Sequence, residues 1–107
     1  KTEALQQRLY HSELVMTAGA YQNATYVVGV AKAGVEDGFP LMGGSIIVDP
    51  NGFVVARATT EDDELILAEC DFAQCAFGRS TIFNFAEHRR IEHYGRITAQ
   101  TGAITEV

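Results

Sequence analysis

A chain of 107 residues leaves room for one small domain, since domains usually run to about 100–200 residues. Hydrophobic residues at 47% and charged residues at 21% fit a packed globular chain and exclude a disordered tail or a collagen-like or mucin-like repeat. The net charge of -6, from 8 basic against 14 acidic residues, argues against nucleic acid as a partner, because neutralising phosphates takes clustered Lys and Arg.

The chain opens on Lys1-Thr2-Glu3, with no Met and no cap, and is expected to begin inside a larger protein. Nothing at the start combines a basic region, an apolar stretch and a small-residue cleavage site, so a cytoplasmic setting is expected. From Glu3 to Tyr21 the apolar residues Leu5, Leu9, Leu14, Met16, Ala18 and Tyr21 recur at mostly three- to five-residue intervals, which predicts an amphipathic helix. Thr25 to Ala33 is rich in β-branched and aromatic residues and reads as a buried strand. Gly34 to Pro40, with Glu36, Asp37 and two glycines, reads as an exposed loop.

Residues 44–48 and 53–58 flank Asp49-Pro50-Asn51-Gly52, where Pro presets one turn residue and Gly supplies a positive φ, so a hairpin is expected. The acidic run Glu61-Asp62-Asp63-Glu64 marks a second surface turn before a strand from Leu65 to Cys70, which would complete a three-stranded antiparallel meander. Asp71 is placed to N-cap a short helix reaching Phe77. Residues 79–107 form a distinct arm of balance +1 against -7 for everything before them, and their Phe83, Phe85, Ile91, Tyr94 and Ile97 predict packing onto another surface. The longest apolar runs, Ile46-Ile47-Val48 and Ile66-Leu67-Ala68, are strand-sized against the roughly 20 residues a bilayer crossing needs, so no membrane is expected.

A nucleophilic cysteine needs a base or a helix N-terminus to lower its pKa. Cys70 precedes Asp71, whose charge works the other way, and Cys75 sits beside Ala76 and Phe77, so both read as small buried hydrophobes. Their spacing matches neither a C-x-x-C redox motif nor a four-ligand zinc site. His88 and His93 are five positions apart where one helical face needs three or four, so no metal is expected. Arg89, Arg90 and Arg96 alternate with Glu87 and Glu92 and read as ion-pair partners. His11, between Tyr10 and Ser12, reads from its context alone as a hydrogen-bonded structural histidine.

Gly43-Gly44-Ser45-Ile46-Ile47-Val48-Asp49-Pro50-Asn51-Gly52 and Leu65-Ile66-Leu67-Ala68-Glu69-Cys70-Asp71-Phe72 resemble the final hairpin and strand of the nitrilase, or carbon–nitrogen hydrolase, superfamily. Residues 11–34, with Ala18-Gly19-Ala20-Tyr21-Gln22-Asn23, and the tail Ile82-Phe83-Asn84-Phe85-Ala86-Glu87-His88-Arg89-Arg90 with His93-Tyr94-Gly95, are most similar to N-carbamoyl-D-amino-acid hydrolases. Ser12-Glu13 and residues 76–80 depart from that branch.

The resemblance implies an α+β chain: the C-terminal portion of a nitrilase-type αββα sandwich, with a helix, a strand, an antiparallel hairpin and strand, and an extended arm. Residues 1–107 would be the C-terminal part of one hydrolase domain, and the implied activity is hydrolysis of the ureido C–N bond of an N-carbamoyl amino acid. An amidase, a β-ureidopropionase or a non-catalytic assembly module are the alternatives. The family's Cys nucleophile, Glu base and Lys, which divide the work of amide hydrolysis, lie upstream. No catalytic residue is therefore expected in this chain, no cofactor is implied, and Cys75 and Lys32 match non-catalytic positions. His11 matches a histidine important for activity and is the candidate supporting residue. Expected partners are the substrate, the missing N-terminal part of the domain and further copies of the chain, with Phe83, Phe85 and Tyr94 at the contact.

Overall fold

The computed structural model describes residues 4–104; Glu3, where the expected helix begins, and Glu106 of the arm lie outside them. Helix α1 spans Leu5–Gln22, within two residues of the expected span. The Gln7 side chain accepts from the Ala4 N–H at 3.3 Å at its start. At its end the Asn23 amide and main-chain N–H both reach the Gly19 carbonyl, at 2.9 and 3.1 Å, and Ala24 turns the chain at φ 50°.

Five short strands follow: β1 (Val27–Gly29), β2 (Ala33–Glu36), β3 (Phe39–Met42), β4 (Ile46–Val48) and β5 (Val54–Arg57). They form two antiparallel sheets, one in the order β1-β4-β5 and one of β2 and β3 alone. The turn between β4 and β5 is as expected. Asp49 Oδ1 accepts from the N–H groups of Asn51 and Phe53 at 2.9 and 3.0 Å, and Gly52 takes φ 83°.

Three expectations about strands are corrected. The buried strand expected over 25–33 is only Val27–Gly29 and is not buried, Val28 standing 61% exposed, because the face of the sheet away from α1 is uncovered. Residues 34–40 are a hairpin instead of a loop: Asp37 at φ 50° and Gly38 at φ 81° make the two positive-φ positions of a type I′ turn, whose hand of twist matches the flanking strands. Among the described residues, 65–70 form no strand ladder, so the three-stranded sheet is completed by β1 instead. Extended propensity suits a segment to a pleated surface but cannot supply the neighbour a ladder needs.

The core lies where α1 crosses the larger sheet. Ala20, Ile46 and Val48 are buried there, with Met16, Val27 and Val54 packed around them. Gly29 permits this approach, since a Cβ at that position would lie 2.3 Å from Met16 Sδ. Arg57 of β5 reaches across to Glu13 of α1 and ties helix to sheet at 2.5 Å.

Asp71 does not cap a helix directly. Its carboxylate accepts from the Ala73 N–H at 3.0 Å and its carbonyl from the Gln74 N–H at 3.1 Å, closing a turn that leads into helix α2 (Gln74–Phe77). The arm then runs as a π-helical turn (Gly78–Ile82), helix α3 (Phe85–His88), a 3-10 turn (Ile91–His93) and helix α4 (Gly95–Ala99). Asn84 caps α3 through its side chain to the Glu87 N–H at 3.3 Å. The arm is fastened to the end of α1 by an edge-to-face contact of Phe83 on Tyr21, ring centres 5.0 Å apart. No helix among the described residues is long and apolar enough to cross a membrane.

Candidate functional site

A depression of about 390 Å³ lies where the chain leaves β1, lined by residues 30–33, the Gly43-Gly44-Ser45 corner, residues 60–64 and Ile66. Ser45 holds its floor: its hydroxyl accepts from the Ala31 N–H at 2.8 Å and donates to the Ala31 carbonyl at 3.3 Å, joining the two segments beyond the last ladder bond. Its rim is acidic. Glu64 folds back so that its carboxylate accepts from the N–H groups of Thr59 and Thr60 and from the Thr60 hydroxyl, at 2.8 to 3.1 Å. The Thr60 hydroxyl, then the Thr60 and Thr59 N–H groups, hold its pKa below the ordinary 4.5. This clamp escaped the reading of 61–64 as a solvated acidic turn; a Thr pair followed four residues later by Glu was its signal.

Lys32 stands at the same opening, bonded to Glu36 at 2.6 Å across the start of the hairpin. Both side chains of that pair are more than half exposed. His11 lies elsewhere, exposed on α1, its ring 5.6 Å from that of Tyr10 and tilted by 58°. The depression and His11 are therefore separate features, and among the described residues no cysteine lines the depression. Cys75 is buried in α2 as expected, whereas Cys70 is exposed because the segment carrying it has no sheet neighbour to cover it.

In the arm, the expected Arg–Glu pairing does not form among the described residues. Arg89 lies over the ring of Tyr94 at 5.8 Å, and Glu92 comes within 3.9 Å of His93. Exposed ion pairs contribute only about 0–1 kcal/mol, too little to draw these side chains together. His88 and His93 sit in different helical turns, and no group of three His, Cys, Asp or Glu among the described residues could hold a metal ion.

Residues 3–79 match the carbon-nitrogen hydrolase family, and the chain belongs to it. Its fold is similar to that of a carbon-nitrogen hydrolase from Helicobacter pylori G27, with a TM-score of 0.75 at 23% identity over 87% of this chain and 34% of that one. It is similar also to the C. elegans NitFhit protein, with a TM-score of 0.70 at 32% identity over 83% of this chain and 21% of that one. The chain thus spans about a third or less of the length of these structures. The nitrilase-superfamily resemblance and the α+β, partial-sandwich fold class are both upheld.

Proposed function

We propose that residues 1–107 are the C-terminal part of an amidohydrolase that cleaves the ureido C–N bond of an N-carbamoyl amino acid. One water is consumed, and ammonia, carbon dioxide and the amino acid are released. The observation that carries the hydrolase reading is the family match over residues 3–79. The branch reading rests on the resemblance of residues 11–34 and of 82–95 to N-carbamoyl-D-amino-acid hydrolases. An amidase acting on another small amide fits the same family match.

In this reading the chain contributes scaffold and no nucleophile. Cys75 is buried, Cys70 is followed by an acidic residue, and Lys32 is engaged by Glu36. The Cys, Glu and Lys of the reaction come from a longer polypeptide, placed in the cytoplasm. The test is ammonia release from N-carbamoyl-D- and L-amino acids and from simple amides, by residues 1–107 and by the longer protein. The 107-residue chain is expected to release none, and the longer protein to prefer the carbamoyl substrates. Release by residues 1–107 that Cys75→Ala abolishes would overturn the absence of a nucleophile; preference for a simple amide would move the enzyme to the amidase branch.

A further inference from the structure

The tip of the β4–β5 hairpin sets Asn51 directly before Gly52, a pair that can react with itself. Once the Gly52 N–H has lost its proton, the nitrogen can attack the side-chain carbonyl carbon of Asn51. A bond forms between them, the bond from that carbon to the side-chain nitrogen breaks, and ammonia leaves with the proton. Water then opens the resulting succinimide at either carbonyl. The product is aspartate or, with the main chain rerouted through the side chain, isoaspartate. Glycine suits the step because no Cβ crowds the attacking nitrogen. Asn51 is exposed, and among the described residues its side-chain amide makes no hydrogen bond.

The folded turn works against this reaction. The Gly52 N–H donates to the Asp49 carbonyl at 2.9 Å, so the proton that must leave is held. That bond, with no positive φ at Asn51, makes Asn51 the third residue of a type I turn, where ψ is about 0°. Ring closure instead brings the nitrogen over Cβ, about 120° away around the same bond at a tetrahedral Cα. The Asp49 carboxylate accepts from the N–H groups of Asn51 and Phe53 at 2.9 and 3.0 Å, and its charge opposes an amide anion on the nitrogen between them. Behind the turn α1 leaves little room for rotation: a Cβ on Gly52 would lie 3.2 Å from the Thr17 carbonyl oxygen and 3.5 Å from Tyr21 Cβ.

We propose that Asn51 is a deamidation site guarded by Asp49: ammonia is lost only from the opened turn, and the bonds to Asp49 set how often it opens. The product feeds back on the fold. Isoaspartate adds a methylene carbon to the main chain between β4 and β5, beside a Gly52 already packed on α1. The Asp49 N–H bond to the Phe53 carbonyl, at 2.9 Å, closes the same turn and is lost with it. Opening then spreads into the ladder that carries the core residues Ile46 and Val48.

The test is incubation of the chain at mildly alkaline pH, with tandem mass spectrometry reading the exchange of NH2 for OH and the isoaspartate at position 51. Folded wild type should convert at least about tenfold more slowly than the same chain in denaturant. Asp49→Ala removes the acceptor of two N–H groups and should speed conversion of the folded chain by about tenfold. In denaturant the two chains should react alike. Val27→Ala, which thins the core away from the turn, should accelerate conversion less. If Asp49→Ala does not fold, Asp49→Asn keeps an acceptor, loses the charge and should still accelerate it several-fold. No conversion in denaturant would overturn the site. The guard would be overturned by a folded rate equal to the denatured one, by a difference between Asp49→Ala and wild type that persists in denaturant, or by equal acceleration in Val27→Ala.

Discussion

Glu64 and His11 show how little a residue's type says until its surroundings are known. Glu64 belongs to a run of four acids, yet three donors converge on its carboxylate and hold its pKa below 4.5. A depressed carboxylate contributes order that is present above its unfolded pKa and is lost as pH falls through the folded one. The amide signals of Thr59 and Thr60 should therefore move together on acidification below pH 4.5, and Glu64→Ala should produce the acid-form positions at neutral pH. Signals insensitive to both changes would show that the clamp does not persist in solution. His11 calls for the opposite experiment, since its proposed role lies in orienting an active-site side chain of the longer protein. Displacing a catalytic group by about 1 Å costs roughly 100-fold. His11→Ala should lower kcat toward that extent with KM and thermal unfolding little changed; unaltered kcat would return the residue to a structural role.

Among the elements, the β2–β3 hairpin depends on its turn. Gly38 sits at φ 81°, where a residue with a Cβ costs about 1–2 kcal/mol, and nothing else crowds the position. Gly38→Ala should loosen this ribbon, read as faster amide exchange across Ala33–Glu36 and Phe39–Met42, with Ile46–Val48 unaffected. Ile46→Ala removes a side chain 1% exposed at the contact of α1 with the sheet and should destabilise the chain by about 2–5 kcal/mol in denaturant unfolding. The contrast explains what could be read from sequence. Helix α1 and the turn at 49–52 are dictated by local spacing and by Pro and Gly, and both emerged from the sequence. The hairpin at 33–42 did not, because Glu36, Asp37 and Pro40 look like loop composition although Asp37-Gly38 alone encodes its turn. Residues 65–70 were legible as extended and not as unpaired, since pairing depends on a neighbour far away in the chain. The candidate role of His11 came from family resemblance, and no local spacing around it encodes one.

As a whole the molecule is broad and thin, 49 × 46 × 17 Å, with a radius of gyration of 18.1 Å where about 13 Å would suit a compact domain of its length. The core is correspondingly small. On α1, Glu13 is the single Asp, Glu, Lys or Arg between Leu9 and Asn23, and it is engaged by Arg57; the helix therefore shows Tyr10, Leu14 and Val15 to the outside, 63%, 47% and 67% exposed. A helix apolar on both sides is one covered on both sides. The arm is partly satisfied by the contact of Phe83 on Tyr21, but Phe85 remains 46% exposed. Burying one large apolar side chain is worth about 1.5–3 kcal/mol. Covering several would add a substantial part of the roughly 5–15 kcal/mol by which domains are stable. We therefore expect residues 1–107 to associate at micromolar concentration, or to bind the remainder of the domain when it is supplied. Sedimentation should find an oligomer whose dissociation is promoted by Val15→Asp on the helix and, more weakly, by Phe85→Ala in the arm. A stable, well-folded monomer that neither substitution alters, and that ignores the remainder of the domain, would refute association through these surfaces.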